Sequence, residues 1–287
     1  MKPLAIDAHH HFWRLNDGEY QWLRSMPELV HDFTGEDFLP LMRAAGVDAS
    51  IIVQAVESEA ETIQMLGWAG NYSWIAGVIG WVNLGSPDAD ERVEWLASQS
   101  KAVGLRNWAM TLSDPDWLAS PGLDVGFSAL AASRLAYDAL VNPRNLRALR
   151  SRMSRTVDLR LCIDHLAYPN AAWEPRSLEE KDWIANLTAL ASVGSAIKLS
   201  GFGHKLNGIW DPDPFRRFVD HALEIFGPAN VIWASNWPTV LTECSFSDWY
   251  KASREWTEGL SEDERAQIFG GNAQRFYRLR APFQAVG

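Results

Sequence analysis

Short apolar runs alternate with longer amphipathic segments along almost the whole chain. The runs are rich in β-branched and aliphatic residues, and each is followed by a segment whose apolar residues recur at helical spacing. This alternation is typical of strand–helix units that build a parallel sheet. The eight predicted strands span residues 4–9, 49–55, 75–82, 103–108, 135–141, 159–165, 196–200 and 231–235.

The predicted helices lie between these strands, and several have recognisable ends. Phe38, Leu41 and Met42 share one face of the segment 36–45, and Gly46 follows it as a stop signal. Pro143 begins the helix after the fifth strand, at a position where proline is tolerated. Further helices are predicted over residues 57–69, 88–99, 215–226 and 261–269, the last with a Ser-x-x-Glu capping box.

Eight strand–helix units in 287 residues predict a (β/α)8 TIM barrel of the α/β class, formed by residues 1–287 as a single domain. An open doubly wound sheet is the alternative, but no glycine-rich phosphate turn follows the first predicted strand. In a barrel the active site lies at the carboxyl ends of the strands. Candidate functional residues are therefore sought there.

Composition excludes several classes of partner. The net charge of -10 disfavours nucleic acid and anionic membrane surfaces, and no apolar run reaches the roughly 20 residues of a membrane span. The first residues lack the pattern of a signal peptide, and only Cys162 and Cys244 are cysteines, which suits a reducing compartment. We expect a cytoplasmic enzyme that acts on a small molecule, while its oligomeric state is left open.

Histidines stand at the ends of two predicted strands. Side chains alternate along a strand, so His9 and His11 are expected to face the barrel axis together, with His10 on the other side. His165 ends the sixth strand, and Asp164 beside it is expected to point away from the axis. Neutral imidazoles in this arrangement bind one divalent metal ion or hydrogen-bond a substrate.

Other strand ends offer groups that could bind substrate. Arg106 ends the fourth strand and could clamp a carboxylate, while Lys198 on the seventh could face an anionic substrate. His204 follows the seventh strand, and Asn236 at the end of the eighth can hydrogen-bond but cannot act as a base. The tryptophans Trp13, Trp108, Trp173 and Trp237 lie beside these motifs and are candidates to line a pocket, and Trp13 and Trp237 are predicted to contact substrate.

The ordered motifs resemble the amidohydrolase-related lactonase family, which includes fuconolactonases, other sugar-acid lactonases and pyrone-dicarboxylate lactonases. Single pieces are weakly specific, but their order and their positions at successive strand ends make the resemblance strong. The motifs are residues 6–13 (Ile-Asp-Ala-His-His-His-Phe-Trp), 53–55 (Val-Gln-Ala), Glu61-Thr62, 77–83, 104–106, 137–141, 164–169 (Asp-His-Leu-Ala-Tyr-Pro), 198–201, 235–238 and 271–277.

The resemblance implies hydrolysis of a small sugar-acid or dicarboxylate lactone, with His9, His11 and His165 forming the inner site. In such enzymes the histidines either bind one divalent ion, here Zn²⁺ or Mn²⁺, or polarise the substrate carbonyl without a metal. By the same resemblance, Arg106 binds a carboxylate or hydroxyl of the substrate. The same superfamily also contains metal-dependent decarboxylases, which are the alternative activity.

Two positions depart from the family pattern. Asn236 stands where the family has the aspartate that takes a proton from water, and Asn107 stands where a histidine is frequent. General-base help is worth about 10²–10⁴ in rate, and an amide cannot supply it. Three interpretations follow: a variant chemistry in which His204, His9 or His11 serves as the base; an inactivated variant; or a barrel that binds a sugar acid without catalysis. We favour the first.

Overall fold

The computed structural model describes residues 4–200, 205–206 and 209–279, and the side chains of residues 4–200 and 210–279. Eight parallel strands form one sheet in chain order, as the alternating pattern predicted. They are β1 (Ile6–His10), β2 (Ala49–Val53), β3 (Ile75–Gly80), β4 (Ala102–Asn107), β5 (Ala136–Ala139), β6 (Leu161–Ile163), β7 (Ala196–Leu199) and β10 (Val231–Trp233). Two short strands, β8 (Lys205–Leu206) and β9 (Ile209–Trp210), pair antiparallel between β7 and β10.

The sheet curves until its first and last strands meet. The backbone N–H of Asn236 donates to the carbonyl of His9 at 2.8 Å, and the N–H of His11 donates to the carbonyl of Trp237 at 2.7 Å. These bonds connect the segment after β10 to β1 and nearly close the barrel. The predicted (β/α)8 TIM barrel is confirmed.

Helices cover the outside of the barrel. Gly46 ends α1 in the left-handed conformation with φ 68°, and the capping box at Ser261 is present, both as predicted. The helices are α1 (Gly35–Ala45), α2 (Glu59–Asn71), α3 (Ala89–Ser98), α4 (Asp124–Ala132), α5 (Leu146–Arg155), α6 (Leu178–Ala191), α7 (Asp213–Phe226), α8 (Phe246–Trp256), α9 (Glu262–Ala266) and α10 (Asn272–Phe276).

The helix predicted over residues 261–269 is interrupted in the structure. α9 ends at Ala266, and a wider π-helical turn (Gln267–Gly271) joins it to α10. A Cβ atom on Gly270 would lie only 1.7 Å from the carbonyl oxygen of Leu4, so only glycine allows the chain to pass so close to the start of β1. The interruption therefore results from tertiary packing against the strand.

Buried apolar side chains form two clusters. The larger one lies between strands and helices and includes the fully buried Trp183, Trp233 and Trp249. The smaller one takes residues from all eight strands of the main sheet and from Tyr277 and Leu279 after α10, which places it inside the barrel. No helix within the described ranges is long and apolar enough to span a membrane.

Candidate active site

A cavity of about 180 Å³ opens at the carboxyl ends of the strands. Its inner wall carries His11 after β1, Arg106 in β4, His165 after β6 and Asn236 after β10. Residues that are far apart in sequence meet here because parallel strands bring their carboxyl ends to the same face of the barrel. The rest of the lining is largely aromatic or apolar: Trp22, Met26, Ala55, Trp108, Met110, Thr111, Leu140, Tyr168 and Thr239.

A bulge in β1 sets the directions of the three consecutive histidines. Asp7 pairs with Ser50 but His10 pairs with Ile52, so β1 carries one residue more than β2 over this stretch. His9 and His11 nevertheless face the same way, with their Nε2 atoms 3.2 Å apart. His10 faces the helices, where its Nε2 lies 2.8 Å from Ser50 Oγ.

The hydrogen bonds of His11 determine which ring nitrogen faces the site. Its Nδ1–H donates to the carbonyl of Val53 at 2.8 Å, which leaves the lone pair on Nε2. That Nε2 lies 3.2 Å from Asn236 Oδ1. Burial, followed by the nearby charge of Arg106, lowers the pKa of His11 to about 3. The ring is therefore neutral at neutral pH.

The end of β6 differs from the prediction. The strand stops at Ile163, and residues Asp164–Ala167 form a tight turn in which His165 has φ 52°. Because the extended alternation ends there, Asp164 and His165 both reach the site, and the expectation that Asp164 points away is wrong. The His165 ring lies 4.7 Å from the His9 ring between centroids, and its Nδ1 is 2.7 Å from Ser200 Oγ. Burial also lowers the pKa of His165 to about 3.

Asp164 lies between two buried cations. Its Oδ2 accepts a hydrogen bond from Arg106 at 3.2 Å, and its Oδ1 lies 3.1 Å from Lys198 Nζ. Lys198 also contacts Asp138, whose oxygens accept the hydroxyl hydrogen of Tyr277 at 3.0 and 3.1 Å. Two carboxylates and two cations thus balance each other beneath the cavity, as buried charges must.

This network corrects the interpretation of Lys198 as a cation that contacts substrate. Its side chain is fully buried and is not part of the cavity lining. Burial alone would raise the pKa of Asp164, but Lys198 and His9 outweigh it and hold that pKa well below its usual value. Asp164 therefore stays ionised, and Lys198 acts on the site through it.

Two of the remaining predicted residues, Trp13 and Trp237, lie outside the cavity lining. Trp13 is fully buried, and its Nε1–H donates to the carbonyl of His31 at 2.8 Å. Trp237 stacks on Phe38 at 4.8 Å between centroids. Both are core residues, so their predicted contact with substrate is corrected. His204 lies outside the described residues.

Sequence reasoning missed most of the cavity wall. Trp22 and Tyr168 line it, and Trp108 does so as the sequence had suggested. Tyr168 belongs to the motif 164–169, whereas Trp22 lies in a short 3-10 helix (Gln21–Ser25) that no sequence pattern had indicated. The tyrosine ring lies 5.0 Å from the ring of His165 between centroids.

One group of described side chains has the chemistry of a metal site. Ligand atoms of His9, Asp164 and His165 all lie within 4.8 Å of one another, and His11 is not a member of this group. Neutral imidazoles and an ionised carboxylate fit a divalent ion. Lys198 and Arg106 compete with such an ion, because they approach the two nitrogens of His9 at 3.1 Å each.

Comparison with known proteins gives concordant results. An L-fucono-1,5-lactonase of Burkholderia ambifaria is 35% identical over 291 residues, which cover 96% of each chain. An L-fucono-1,5-lactonase of Burkholderia multivorans is 32% identical and covers 99% of both chains. A crystal structure of an amidohydrolase from Burkholderia multivorans with bound zinc is similar at a TM-score of 0.87 and 32% identity, covering 96% of this chain and 100% of that one.

The amidohydrolase family profile matches residues 6–279, which include every strand of the barrel and all the site residues described above. The chain belongs to the amidohydrolase family.

Proposed function

We propose that this protein is a lactonase that hydrolyses the ester bond of a neutral sugar-acid lactone, a molecule of the L-fucono-1,5-lactone class. One observation carries the proposal: two neutral imidazoles, His11 and His165, stand on the wall of an aromatic cavity whose described cation, Arg106, is already paired with Asp164. The fuconolactonase relatives support the same reaction. The product is the ring-opened hydroxy acid.

The chemistry requires a water oxygen to bond to the lactone carbonyl carbon while the water gives up a proton. The carbonyl oxygen becomes an oxyanion, and the ring oxygen then leaves and takes up a proton. His165 is the group we assign to receive the proton from water. Its pKa of about 3 keeps it unprotonated at the start, and the negative charge that develops in the transition state raises its proton affinity.

Other residues of this chain stabilise and orient the reacting group. Arg106 presents a fixed positive charge near the oxyanion, and two of its nitrogens are already held by the protein. Asn236 provides an amide that can hydrogen-bond the substrate but cannot accept a proton near neutral pH. The reaction as assigned to His165 does not need the aspartate that Asn236 replaces.

The cavity favours a neutral ring over a dicarboxylate. The indole N–H of Trp22 donates to the carbonyl of Ala55 at 2.8 Å, and that of Trp108 donates to Gln54 Oε1 at 2.9 Å. Both indoles therefore present carbon surface, which packs well against the C–H face of a sugar ring. Arg106 is the cation in the described lining, and it is engaged by Asp164. A second carboxylate would be buried there without a partner, which is costly.

We propose Zn²⁺ as the ion that His9, Asp164 and His165 would hold in a metal-bound form of the site. His165 Nδ1 already contacts Ser200, so a coordinated His165 could not also accept a proton, and the proton-acceptor role assigned to it above belongs to the metal-free form. Zinc accepts imidazole nitrogen and carboxylate oxygen together, and the similar structure from Burkholderia multivorans contains it. When bound, the ion would polarise the substrate carbonyl as a Lewis acid. The alternative activity, a decarboxylase, would require such an ion.

We also place the protein in the cytoplasm, in sugar-acid metabolism, with a small molecule as its partner. The sparse use of cysteine and the net charge of -10 support this location and argue against nucleic acid and anionic membranes as partners. Fractionation of cells that express the chain with a tag tests the location.

A substrate panel tests the activity. Purified protein is assayed for acid release at neutral pH with L-fucono-1,5-lactone, other aldonolactones and 2-pyrone-4,6-dicarboxylate. We expect rapid opening of neutral lactones and at least about tenfold lower kcat/KM for the dicarboxylate, since an unpaired buried charge costs more than about 1.4 kcal/mol. Binding without acid release would instead support the non-catalytic sugar-acid binder, and release of carbon dioxide would support the decarboxylase.

A further inference from the structure

The segment after β2, taken as residues 53–56 with the last residue of the strand included, provides hydrogen-bond acceptors to the site. The carbonyl of Val53 accepts the Nδ1–H of His11 at 2.8 Å, and the carbonyl of Gln54 accepts a guanidinium hydrogen of Arg106 at 2.6 Å. The first bond selects the tautomer of His11, and the second fixes the plane of Arg106. Two groups that face the reacting carbonyl are thus oriented by consecutive backbone carbonyls.

The same segment orients two aromatic walls of the cavity. Trp108 Nε1–H donates to Gln54 Oε1 at 2.9 Å, and Trp22 Nε1–H donates to the carbonyl of Ala55 at 2.8 Å. Neither tryptophan belongs to β2 or to its helix. Residues 53–55 therefore hold four side chains of the cavity, which come from three different parts of the chain.

One side chain holds this segment in place. Glu61, in the first turn of α2, accepts the backbone N–H groups of Ala55 at 2.9 Å and Val56 at 3.0 Å with the same oxygen, Oε2. Its side chain is buried, and Oε1 has no hydrogen-bond partner among the described residues. Glu61 itself does not line that cavity, and its two hydrogen bonds bind the segment that does.

A carboxyl group at this place is energetically expensive. Burial raises the pKa of Glu61 to about 8, against the opposing effect of the two backbone N–H groups. Replacing the side chain with an apolar one would remove this cost, but it would leave the N–H groups of Ala55 and Val56 without an acceptor. The buried carboxyl group is therefore explained by the two backbone N–H groups that it binds.

We propose that Glu61 is a positioning residue that sets the geometry of the active site, through its two bonds to the segment after β2 and through the contacts of that segment with His11, Arg106, Trp22 and Trp108. It does not touch the substrate. Its effect reaches the reacting carbonyl through His11 and Arg106, and it reaches the substrate-binding walls through the two indoles. The proposal depends on the lactonase function only for its kinetic readout.

The test compares three substitutions at this position with one control. Glu61→Gln keeps an oxygen that can accept both N–H groups, Glu61→Asp is one methylene too short to reach both, and Glu61→Met keeps the size but has no acceptor. Glu59→Gln is the matched control, because Glu59 lies on the same helix turn and makes a half-exposed ion pair with Arg92. Each variant is assayed with L-fucono-1,5-lactone, and its folding is checked by circular dichroism and thermal unfolding.

We expect Glu61→Met to lower kcat about 10²-fold, which is the cost of misplacing reacting groups by about 1 Å. Glu61→Gln should stay within about tenfold of the parent, and Glu61→Asp should fall below Glu61→Gln, since only Gln can make both bonds. If Glu61→Met does not fold, the comparison of Gln with Asp decides. Equal kcat in folded Met, Asp and Gln variants would overturn the proposal.

A second readout does not depend on activity. The indole N–H signals of Trp22 and Trp108 are followed by NMR in protein labelled with ¹⁵N-tryptophan and are assigned with Trp22→Phe and Trp108→Phe. We expect both signals to shift in Glu61→Asp and to stay in place in Glu59→Gln. If the indole signals shift in Glu61→Asp but the parent protein does not hydrolyse lactones, the proposed function is refuted and the positioning role is kept. Unmoved signals in Glu61→Asp would refute the positioning role.

Discussion

Lys198 Nζ lies 3.1 Å from Asp164 Oδ1, and neither side chain has any exposed surface. The same ammonium group contacts Asp138, and Arg106 contacts the other oxygen of Asp164. Each of these four buried charges has a partner of opposite sign, and this pairing offsets the cost of removing the charges from water. Removing one member leaves the others uncompensated, and this gives the first prediction.

Lys198→Met should destabilise the protein by about 3–5 kcal/mol, because it leaves two buried carboxylates facing one cation. Urea denaturation at neutral pH measures the change in the free energy of unfolding. Lys251→Met serves as the control, since Lys251 is largely exposed and makes only a helix-surface pair with Glu255. A loss below about 1 kcal/mol, the range of a surface ion pair, would show that the network is not stabilised in this way.

His165→Ala should lower kcat/KM about 10²–10⁴-fold, since the variant lacks the group that accepts the proton from water. The fold should be retained, because the ring is at the edge of the cavity and not in the apolar core. His221→Gln on α7 is the control, with its partly exposed ring paired to Glu224. Activity of His165→Ala within about tenfold of the parent would move the role of base to another residue.

Asn236→Asp should lower kcat/KM, although it restores the residue typical of the family. The new carboxylate would stand about 3.2 Å from His11 Nε2, where it favours protonation of the ring and occupies its acceptor nitrogen. Steady-state kinetics with the preferred lactone measure the effect, with the exposed Asn170→Asp as control. Increased activity in Asn236→Asp would support the interpretation of the chain as an inactivated hydrolase.

Removal of metal by dialysis against a chelator should lower kcat/KM by less than about tenfold, or ~1.4 kcal/mol. Lys198 and Arg106 already occupy the surroundings of His9 and Asp164, so the affinity for an added cation is weakened by repulsion. Metal analysis of the purified and the dialysed protein accompanies the kinetics. A loss above about 10²-fold that zinc restores would assign the main electrophilic role to the ion.

The stability difference between Glu61→Gln and the parent should depend on pH. The pKa of Glu61 is raised to about 8 in the folded protein from 4.5, so the folded state retains a proton that the unfolded state has lost between these values. Folding stability contributed by this group is therefore complete below the unfolded pKa and is lost as the pH rises toward the folded one. Gln cannot titrate, so the free energy of unfolding of Glu61→Gln should rise relative to that of the parent between about pH 5 and pH 8. The relative gain should be up to ~1.4 kcal/mol per pKa unit. Urea unfolding of the parent and of Glu61→Gln at about pH 5 and pH 8 measures this change. An equal difference in the free energy of unfolding between the two proteins at both pH values would contradict the raised pKa.

Much of the site could be predicted once the barrel was recognised. His11, Arg106 and Asn236 fall at strand ends, and strand periodicity together with the position of the barrel's active face is enough to find them. The contributions of Asp164 and Lys198 were misjudged. Asp164 faces the site because the sixth strand ends two residues earlier than predicted. Lys198 faces inward as assumed, but its ion pairs with Asp138 and Asp164 hold its ammonium group beneath the cavity.

The sequence by itself determined the order of strands and helices, the barrel they form and the end of the barrel that carries the chemistry, because hydrophobic periodicity and turn residues act over a few positions along the chain. Only the tertiary structure decided which side chains meet. The pairing of His11 with Val53, of Trp22 with Ala55 and of Glu61 with the segment after β2 depends on hydrogen bonds whose partners no local pattern specifies. Such contacts arise when packing brings separate segments together and every buried polar group must find a partner.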